Sequence, residues 1–181
     1  MRRLSTLVAA LATVFAVGSA NAIVVLVDDF NAPDLTLFDT VGGDSVAATA
    51  NQSPVRTVSH ELITATNNGG LQSSVLIGNN AFPTGVLQMS NANSIDSQVK
   101  VNWTLAVGAV PTALPVFFFF DVVESDAVQK TIGFSLDGGA TTFASYSLGA
   151  ATNTPLLFGV NAVQQAALNA GGTLTMIVDG G

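Results

Sequence analysis

The sequence predicts an all-β fold, a two-sheet antiparallel β-sandwich of the jelly-roll type with one short helix. Apolar and polar residues alternate over short segments, as expected of strands that bury one face. Glycine next to asparagine or aspartate separates several of these segments, and such pairs form tight turns. A parallel α/β fold is excluded because only the segment 162–169 has the start and stop signals of a helix.

The first 22 residues have the pattern of a secretory signal peptide. Two arginines precede the apolar run 4–17, and Ala20 and Ala22 form an Ala-x-Ala cleavage site. An uncleaved membrane anchor is the alternative, but two polar residues interrupt the apolar stretch that would have to cross the bilayer. We therefore expect a secreted or cell-surface protein, with no membrane insertion after cleavage, in which residues 23–181 form one sandwich domain.

The composition excludes several classes of function. The net charge is −7 with only 5 lysines and arginines, which argues against binding to nucleic acid or to anionic membranes. The chain has no cysteine, and export without disulfides is more typical of a bacterial protein than of a eukaryotic one. Because 49% of the residues are hydrophobic, a packed core is expected rather than a disordered tail.

The first half of the mature chain is expected to contain short strands joined by turns. The segment 41–53 is rich in glycine and other small residues, which predicts a long surface loop. Asn67–Gly70 lies between two apolar runs, 55–66 and 71–77, and this pattern predicts a β-hairpin. Three other short apolar segments are expected to be strands: 23–27, 35–39 and 86–89.

The segment 98–107 has the clearest alternation in the chain. Every second residue from Val99 to Val107 is apolar, which is typical of an antiparallel strand with one side in water. Trp103 lies in the middle of this apolar face and is interpreted as a core anchor. Its alternative role is an exposed platform on which a sugar ring stacks.

Four consecutive phenylalanines in the segment 116–123 predict a core strand. Alternation places Phe117, Phe119 and Asp121 on one face, and we assign that face outward because an unpaired carboxylate is costly in a dry interior. Burying each phenylalanine is worth about 1.5–3 kcal/mol. We therefore expect Phe117 and Phe119 to be covered, by another part of the chain in preference to another molecule.

The C-terminal third predicts a second hairpin, a helix and a last strand. The hairpin joins 129–136 to 141–148 through an Asp-Gly-Gly turn. Asn161 is expected to cap the helix, and Gly171 to follow its end. The last strand, 173–178, also runs into Asp-Gly-Gly, so a further strand is expected to follow it. This pattern predicts a vacant edge beside 173–178 and a domain that lacks its C-terminal end.

Residue types that carry out catalysis are scarce. His60 is the only histidine, and its neighbour Glu61 would point to the opposite face of the same strand. No Gly-x-Ser-x-Gly motif is present to expose a serine nucleophile. We expect a solvent-facing His60, no catalytic residues and no enzymatic activity.

Aspartates at predicted strand ends are the candidate metal ligands, because carboxylate oxygens on loops suit calcium. We expect no cofactor, with a structural calcium as the alternative. The candidate ligands are Asp28, Asp29 and Asp179, with Asp34 nearby in sequence.

Several segments together resemble the exported domains of bacterial exosortase-sorted (PEP-CTERM) proteins. The similarity lies in Asp28-Asp29-Phe30-Asn31 after the signal peptide, the Arg56 and Trp103 strands, the phenylalanine strand and the closing segment 171–175. The Pro-Glu-Pro tail of that family does not occur in these 181 residues. The start of the mature chain also resembles carbohydrate-binding jelly rolls, which implies contact with glycans and a structural calcium.

These observations favour a non-catalytic secreted protein with a structural or adhesive role in the bacterial envelope or extracellular matrix. Its expected partners are extracellular polysaccharides or other matrix proteins. The alternative is a carbohydrate-binding module, which requires exposed aromatic side chains. The candidate binding residues are Phe117, Phe119, Tyr146 and Trp103.

Overall fold

The computed structural model describes residues 28, 30–31, 34–39, 45–50, 55–63, 73–81, 86–91, 95–112, 115–125, 130–136 and 141–180. The predicted signal peptide and the predicted strand 23–27 lie outside the described residues. The described part is an all-β fold with one α-helix, which confirms the predicted class. Its strands are β1 (Leu35–Asp39), β2 (Ser45–Ala50), β3 (Val55–Leu62), β4 (Ser73–Ile77), β5 (Leu87–Asn91), β6 (Ser97–Thr104), β7 (Val116–Ser125), β8 (Lys130–Leu136), β9 (Thr141–Leu148), β10 (Ala151–Val160) and β11 (Thr173–Asp179), and its helix is α1 (Ala162–Asn169).

The described strands form three antiparallel sheets rather than two. A six-stranded sheet has the order β2-β3-β6-β11-β8-β9, a three-stranded sheet the order β1-β4-β5, and β10 pairs with β7. Buried residues from all three sheets share one hydrophobic core. The arrangement is sandwich-like, with two small sheets packed against the large one.

The inner face of the six-stranded sheet is built from rows of directly opposite residues. One row crosses four strands through Val58, Val101, Met176 and Phe134, all at most 3% exposed. Each of these side chains contributes about 1.5–3 kcal/mol by leaving water. The predicted alternation of β6 and β8 is confirmed by this row. Val107 is the exception, 80% exposed, because β6 ends at Thr104 and the chain turns there.

The strand β7 has the predicted faces. Phe117 and Phe119 point outward, whereas Phe118 and Phe120 are half-buried against the core. The Phe118 ring stacks on Phe158 of β10 with centroids 5.4 Å apart. The Phe120 ring meets Phe134 of β8 edge-on at 6.0 Å, so phenylalanines join the two-stranded sheet to the large one.

The helix α1 begins and ends as predicted. The Asn161 side chain accepts a hydrogen bond from the Gln164 backbone N–H, and the Gln164 side chain accepts one from the Asn161 backbone N–H. This capping box satisfies two backbone donors at the start of the helix. After the helix, Gly171 has a φ of +90°, a conformation that glycine adopts readily.

The predicted loop over 41–53 is wrong in part, because residues 45–50 form β2. This strand pairs with β3 from Ser45 opposite Glu61 to Ala50 opposite Arg56. It lies at an edge of the large sheet, where ladder hydrogen bonds are enough to hold a strand of small residues.

The predicted hairpin across Asn67–Gly70 is also wrong. The strand β3 pairs with β2 and β6, whereas β4 belongs to the three-stranded sheet and pairs with β1 and β5. The turn itself lies outside the described residues. An Asn-Gly pair permits a tight turn but does not determine which strands pair, and here each strand has its ladder partners in a different sheet.

The predicted vacant edge beside the last strand is not observed. Strand β11 pairs with β6 on one side and with β8 on the other. The Gly180 N–H donates to the Ser97 carbonyl oxygen at 2.9 Å, so Asp179 and Gly180 continue the pairing instead of turning away. By contrast, the hairpin of β8 and β9 is confirmed by their antiparallel register.

Candidate functional site

The outer face of β7 and β10 carries a group of exposed apolar side chains. Phe117 is 62% exposed, and Phe119 and Leu157 are each 44% exposed. Leu157 lies directly opposite Phe119 in the ladder. We call Phe117, Phe119 and Leu157 the outer patch. The expectation that the chain covers both phenylalanines is therefore wrong, since more than two fifths of each side chain remains in contact with water.

A glycine shapes the outer patch. Gly159 lies directly opposite Phe117, and a Cβ atom at this position would come within 3.2 Å of the Phe117 ring. Without a side chain at Gly159, the ring lies over the neighbouring strand. The outer patch is thereby a broad, shallow apolar surface on regular strands, with Asp121 exposed further along β7.

Tyr146 and Trp103, the other two candidate binding residues, do not belong to the outer patch. Tyr146 lies in β9, and its hydroxyl donates to the Leu157 carbonyl oxygen at 2.8 Å. Its half-buried ring packs near Phe158, so it connects β9 to β10. Trp103 is 4% exposed and lies in the core. Its interpretation as a core anchor is confirmed, and its burial excludes the sugar-stacking alternative.

Trp103 contributes to a buried ionic cluster. Arg56 of β3 lies directly opposite Trp103 in β6, and the Asp28 carboxylate accepts hydrogen bonds from both. The Arg56 Nη1 to Asp28 Oδ2 distance is 2.8 Å, and the Trp103 Nε1 to Asp28 Oδ2 distance is 2.7 Å. The Phe30 N–H also donates to Asp28, and the Arg56 guanidinium lies 5.4 Å from the centre of the Phe30 ring. The cluster attaches the segment around residue 28 to the large sheet.

The candidate calcium ligands are not brought together. Asp28 contacts the Trp103 end of β6, whereas Asp179 pairs with Gln98 near the other end, about 17 Å away at the rise of a strand. Asp29 lies outside the described residues. Among the residues that the structure describes, no group of three or more histidine, cysteine, aspartate or glutamate side chains could hold a metal ion.

Asp179 instead has a carboxyl neighbour, Asp96. Burial, the negative charge of Asp179 and a hydrogen bond between the two side chains raise the pKa of Asp96 above its ordinary value. The negative charge of Asp179 therefore adds to burial in disfavouring the ionised form of Asp96.

His60 is buried, so the expectation of a solvent-facing histidine is wrong. It is 0% exposed, whereas Glu61 faces water, which confirms that these neighbours point to opposite faces. The His60 Nε2 atom lies 2.8 Å from the Ser73 hydroxyl of β4. The shortest contact of the Ser73 hydroxyl is with Asn91 Oδ1, and donation of its proton there pairs with the His60 tautomer in which the imidazole Nε2–H donates to Ser73.

Two further residues complete this buried polar group. Ser97 of β6 donates to the same Asn91 oxygen at 2.7 Å, and its hydroxyl is 2.8 Å from that of Ser73. We call His60, Ser73, Asn91 and Ser97 the polar seam, since they join the six-stranded sheet to the three-stranded sheet. Sequence reasoning missed the polar seam because its members come from four strands, and single serines in strands give no signal of their own.

The polar seam contains residue types of a hydrolytic triad but not its geometry. Asp39 of β1 is 3% exposed, and its Oδ2 atom accepts from the Leu62 N–H at 3.0 Å. A triad needs an exposed hydroxyl that gives its proton to histidine. Ser73 is 0% exposed and lies between His60 and Asn91, so this arrangement joins two sheets and its hydroxyl does not reach the surface.

No protein-family model, curated protein or solved structure matches this chain. In the described part of the chain, none of the helical structure is long and apolar enough to cross a membrane.

Proposed function

We propose that this chain is a non-catalytic, secreted structural or adhesive protein of the bacterial cell envelope or extracellular matrix. The observation that carries the proposal is the outer patch. Phe117, Phe119 and Leu157 lie on regular, paired strands and yet are 62%, 44% and 44% exposed. Covering each side chain would contribute about 1.5–3 kcal/mol, so the patch favours contact with another surface.

The proposed lack of catalytic activity rests on the polar seam. The histidine of the chain is committed to a hydrogen bond that joins two sheets, with its serine partner sealed from solvent. General base catalysis requires the base to reach a proton on a substrate. Substrates do not reach a histidine that is 0% exposed in the folded protein.

The proposed location rests on the N-terminal sequence. The arginine pair, apolar run and Ala20-x-Ala22 site favour export, and the resemblance to exosortase-sorted domains favours a cell surface or matrix. Extracellular polysaccharides or matrix proteins are then the partners that the outer patch would meet.

A carbohydrate-binding module is the second candidate, and one observation favours it. Phe117 and Phe119 are two residues apart on one strand face, so their rings are spaced by about 7 Å on a shallow surface. Aromatic rings on a flat sheet can stack against the apolar faces of sugars. Such a module would show saturable binding that free sugar competes away, whereas an adhesive patch would bind apolar surfaces generally.

The experiment compares binding of the purified protein to alkyl-coated beads and to polysaccharide beads. We expect the wild type to bind alkyl-coated beads, and Phe117→Ser combined with Phe119→Ser to weaken this binding at least tenfold. Phe38→Ser is the matched control, because Phe38 is 53% exposed on β1 and lies outside the outer patch. Binding to polysaccharide alone, competed by soluble sugar, would favour the module. Equal binding by the wild type and the double variant would contradict both candidates.

The proposed lack of catalysis has a separate test. Incubation with esters and polysaccharides should give no turnover above that of the Ser73→Ala variant. Hydrolysis by the wild type that Ser73→Ala or His60→Gln abolishes, in variants that still fold, would overturn the proposal.

A further inference from the structure

The polar seam connects two sheets through a titratable side chain. His60 lies in β3 of the six-stranded sheet, and Ser73 and Asn91 lie in β4 and β5 of the three-stranded sheet. The hydrogen bond from His60 Nε2 to Ser73 Oγ, 2.8 Å long, therefore crosses from one sheet to the other. Hydrophobic contacts from Leu37, Val75 and Ile77 support the same interface.

The surroundings of the His60 imidazole favour its neutral form over its protonated form. In the tautomer that donates from Nε2 to Ser73, Nδ1 is an unprotonated acceptor. Nδ1 is buried and has no hydrogen-bond partner among the described residues. A proton taken up at Nδ1 would create a buried N–H without an acceptor, together with a buried positive charge, and both are costly.

The charged groups around His60 do little to offset that cost. Asp39 from β1 is the acidic group that favours the charged imidazole, but its Oδ2 atom accepts from the Leu62 N–H. On β3 itself, Arg56 lies further along the same face in its ion pair with Asp28, and Glu61 faces water.

The neighbouring strands add no closer charge. The described strands β2, β4 and β5 have no charged residues at all. On β6, Lys100 follows the buried Val99 and so points to the opposite face of the sheet. The acidic pair of Asp96 and Asp179 lies beyond Ser97, at the end of β6 and β11.

We propose that His60 is an acid-responsive latch between the two sheets. When the imidazole takes up a proton at Nδ1, the closed arrangement holds a buried charge and an unpaired N–H, and the three-stranded sheet separates locally from the six-stranded sheet so that water reaches the ring. The central ladder of β6, β11 and β8 does not depend on this contact and stays paired. The role of the latch is independent of the outer patch, which lies on β7 and β10.

The direction of the pH response follows from burial. Desolvation lowers the pKa of His60 below its ordinary 6.5, and the nearby Asp39 offsets only part of this. The opened form, with a hydrated imidazole, binds the proton more readily than the closed form. The opening equilibrium is therefore independent of pH above about 6.5, and increases by at most about tenfold per pH unit below it.

The test measures amide hydrogen exchange at pH 7.5, 6.5 and 5.5, with each rate corrected for the intrinsic pH dependence of exchange. Between pH 6.5 and 5.5 we expect opening at the Val75 and Met89 amides to increase several-fold. Opening at the Met176 amide in β11 should stay constant. In His60→Gln, whose side chain does not titrate but can donate to Ser73, the pH response of β4 and β5 should disappear.

Two results would overturn the latch. One is a pH response of β4 and β5 that persists in His60→Gln, or that β11 shares in the wild type. The other needs no variant and applies even if His60→Gln fails to fold: an NMR titration of His60 in the native protein with a pKa at or above 6.5, since such a group would not favour opening in acid.

Discussion

The carboxylate of Asp28 and the guanidinium of Arg56 form a salt bridge 2.8 Å long, with side chains 2% and 0% exposed. The two residues are 28 positions apart in sequence. Because Arg56 is fully buried beside Trp103, its charge depends on Asp28 for compensation. Asp28, which lies outside the described strands, therefore contributes to the stability of the large sheet.

Replacement of Asp28 by alanine should lower the free energy of unfolding by about 3–5 kcal/mol, because it leaves a buried arginine without its counter-charge. Urea denaturation followed by tryptophan fluorescence reports the change, since the Trp103 Nε1 also loses its acceptor. Asp121→Ala, at an exposed carboxylate, is the control and should change stability by less than about 0.5 kcal/mol. Adding Arg56→Met to Asp28→Ala should restore part of the loss; a double variant less stable than Asp28→Ala would contradict this explanation.

Asp96→Asn should stabilise the protein at neutral pH. The raised pKa of Asp96 means that the folded state holds its proton more tightly than the unfolded state. Stability contributed by this proton is present below the unfolded pKa of 3.8 and is lost as the pH rises through the folded pKa. Removing the repulsion from Asp179 should therefore raise stability at pH 7, by less than about 1 kcal/mol.

The measurement is the difference in stability between Asp96→Asn and the wild type at pH 3 and at pH 7. The stabilising effect should be present at pH 7 and absent at pH 3. A gain that is the same at both pH values would show that the carboxyl pair is not its cause.

Asn161→Ala should reduce stability by about 1 kcal/mol, because the Gln164 backbone N–H loses its acceptor at the start of α1. Asn161→Ser keeps a capping oxygen and should remain close to the wild type in thermal denaturation. If both variants lose the same stability, the capping box is not what stabilises this end of the helix.

Chelation of divalent cations should leave the melting temperature unchanged. Both oxygens of the Asp28 carboxylate already accept hydrogen bonds, from Phe30, Arg56 and Trp103, and Asp179 lies at the far end of β6. A ligand that bound the native state alone would raise the melting temperature by mass action. A decrease with EDTA that added calcium reverses would establish the calcium site that the sequence suggests as an alternative.

The elements that could be predicted from sequence are those in which the residues marked as apolar by the local pattern are also the residues that the fold buries. The alternating segments of β6, β8 and β11 bury one face in the same core, so their periodicity alone identifies the inner residues. The helix was predictable to the residue, since Asn161 and Gly171 mark its two ends. The faces of β7 followed from the cost of burying Asp121.

Strand β10 escaped prediction because Pro155 interrupts its apolar pattern. Proline cannot donate to a ladder and usually excludes an interior strand, but here β10 pairs only with β7 among the described strands. Missing β10 also meant missing Leu157, the third member of the outer patch. The prediction that His60 faces solvent is wrong for a different reason. The polar groups that satisfy the buried ring, Ser73 and through it Asn91, lie in another sheet, and the local sequence around His60 does not show them.

The position of β11 determines when the fold can be completed. It is the last described strand in sequence, yet it separates β6 from β8 in the middle of the six-stranded sheet. Until residues 173–179 have been synthesised, the ladders on both sides of β11 cannot form, and the ladder with β6 joins residues 69 to 81 positions apart. Contacts of such long sequence separation slow folding. Completion of the large sheet must therefore wait until residues 173–179 have left the ribosome, although β2, β3 and β6 precede them in the chain.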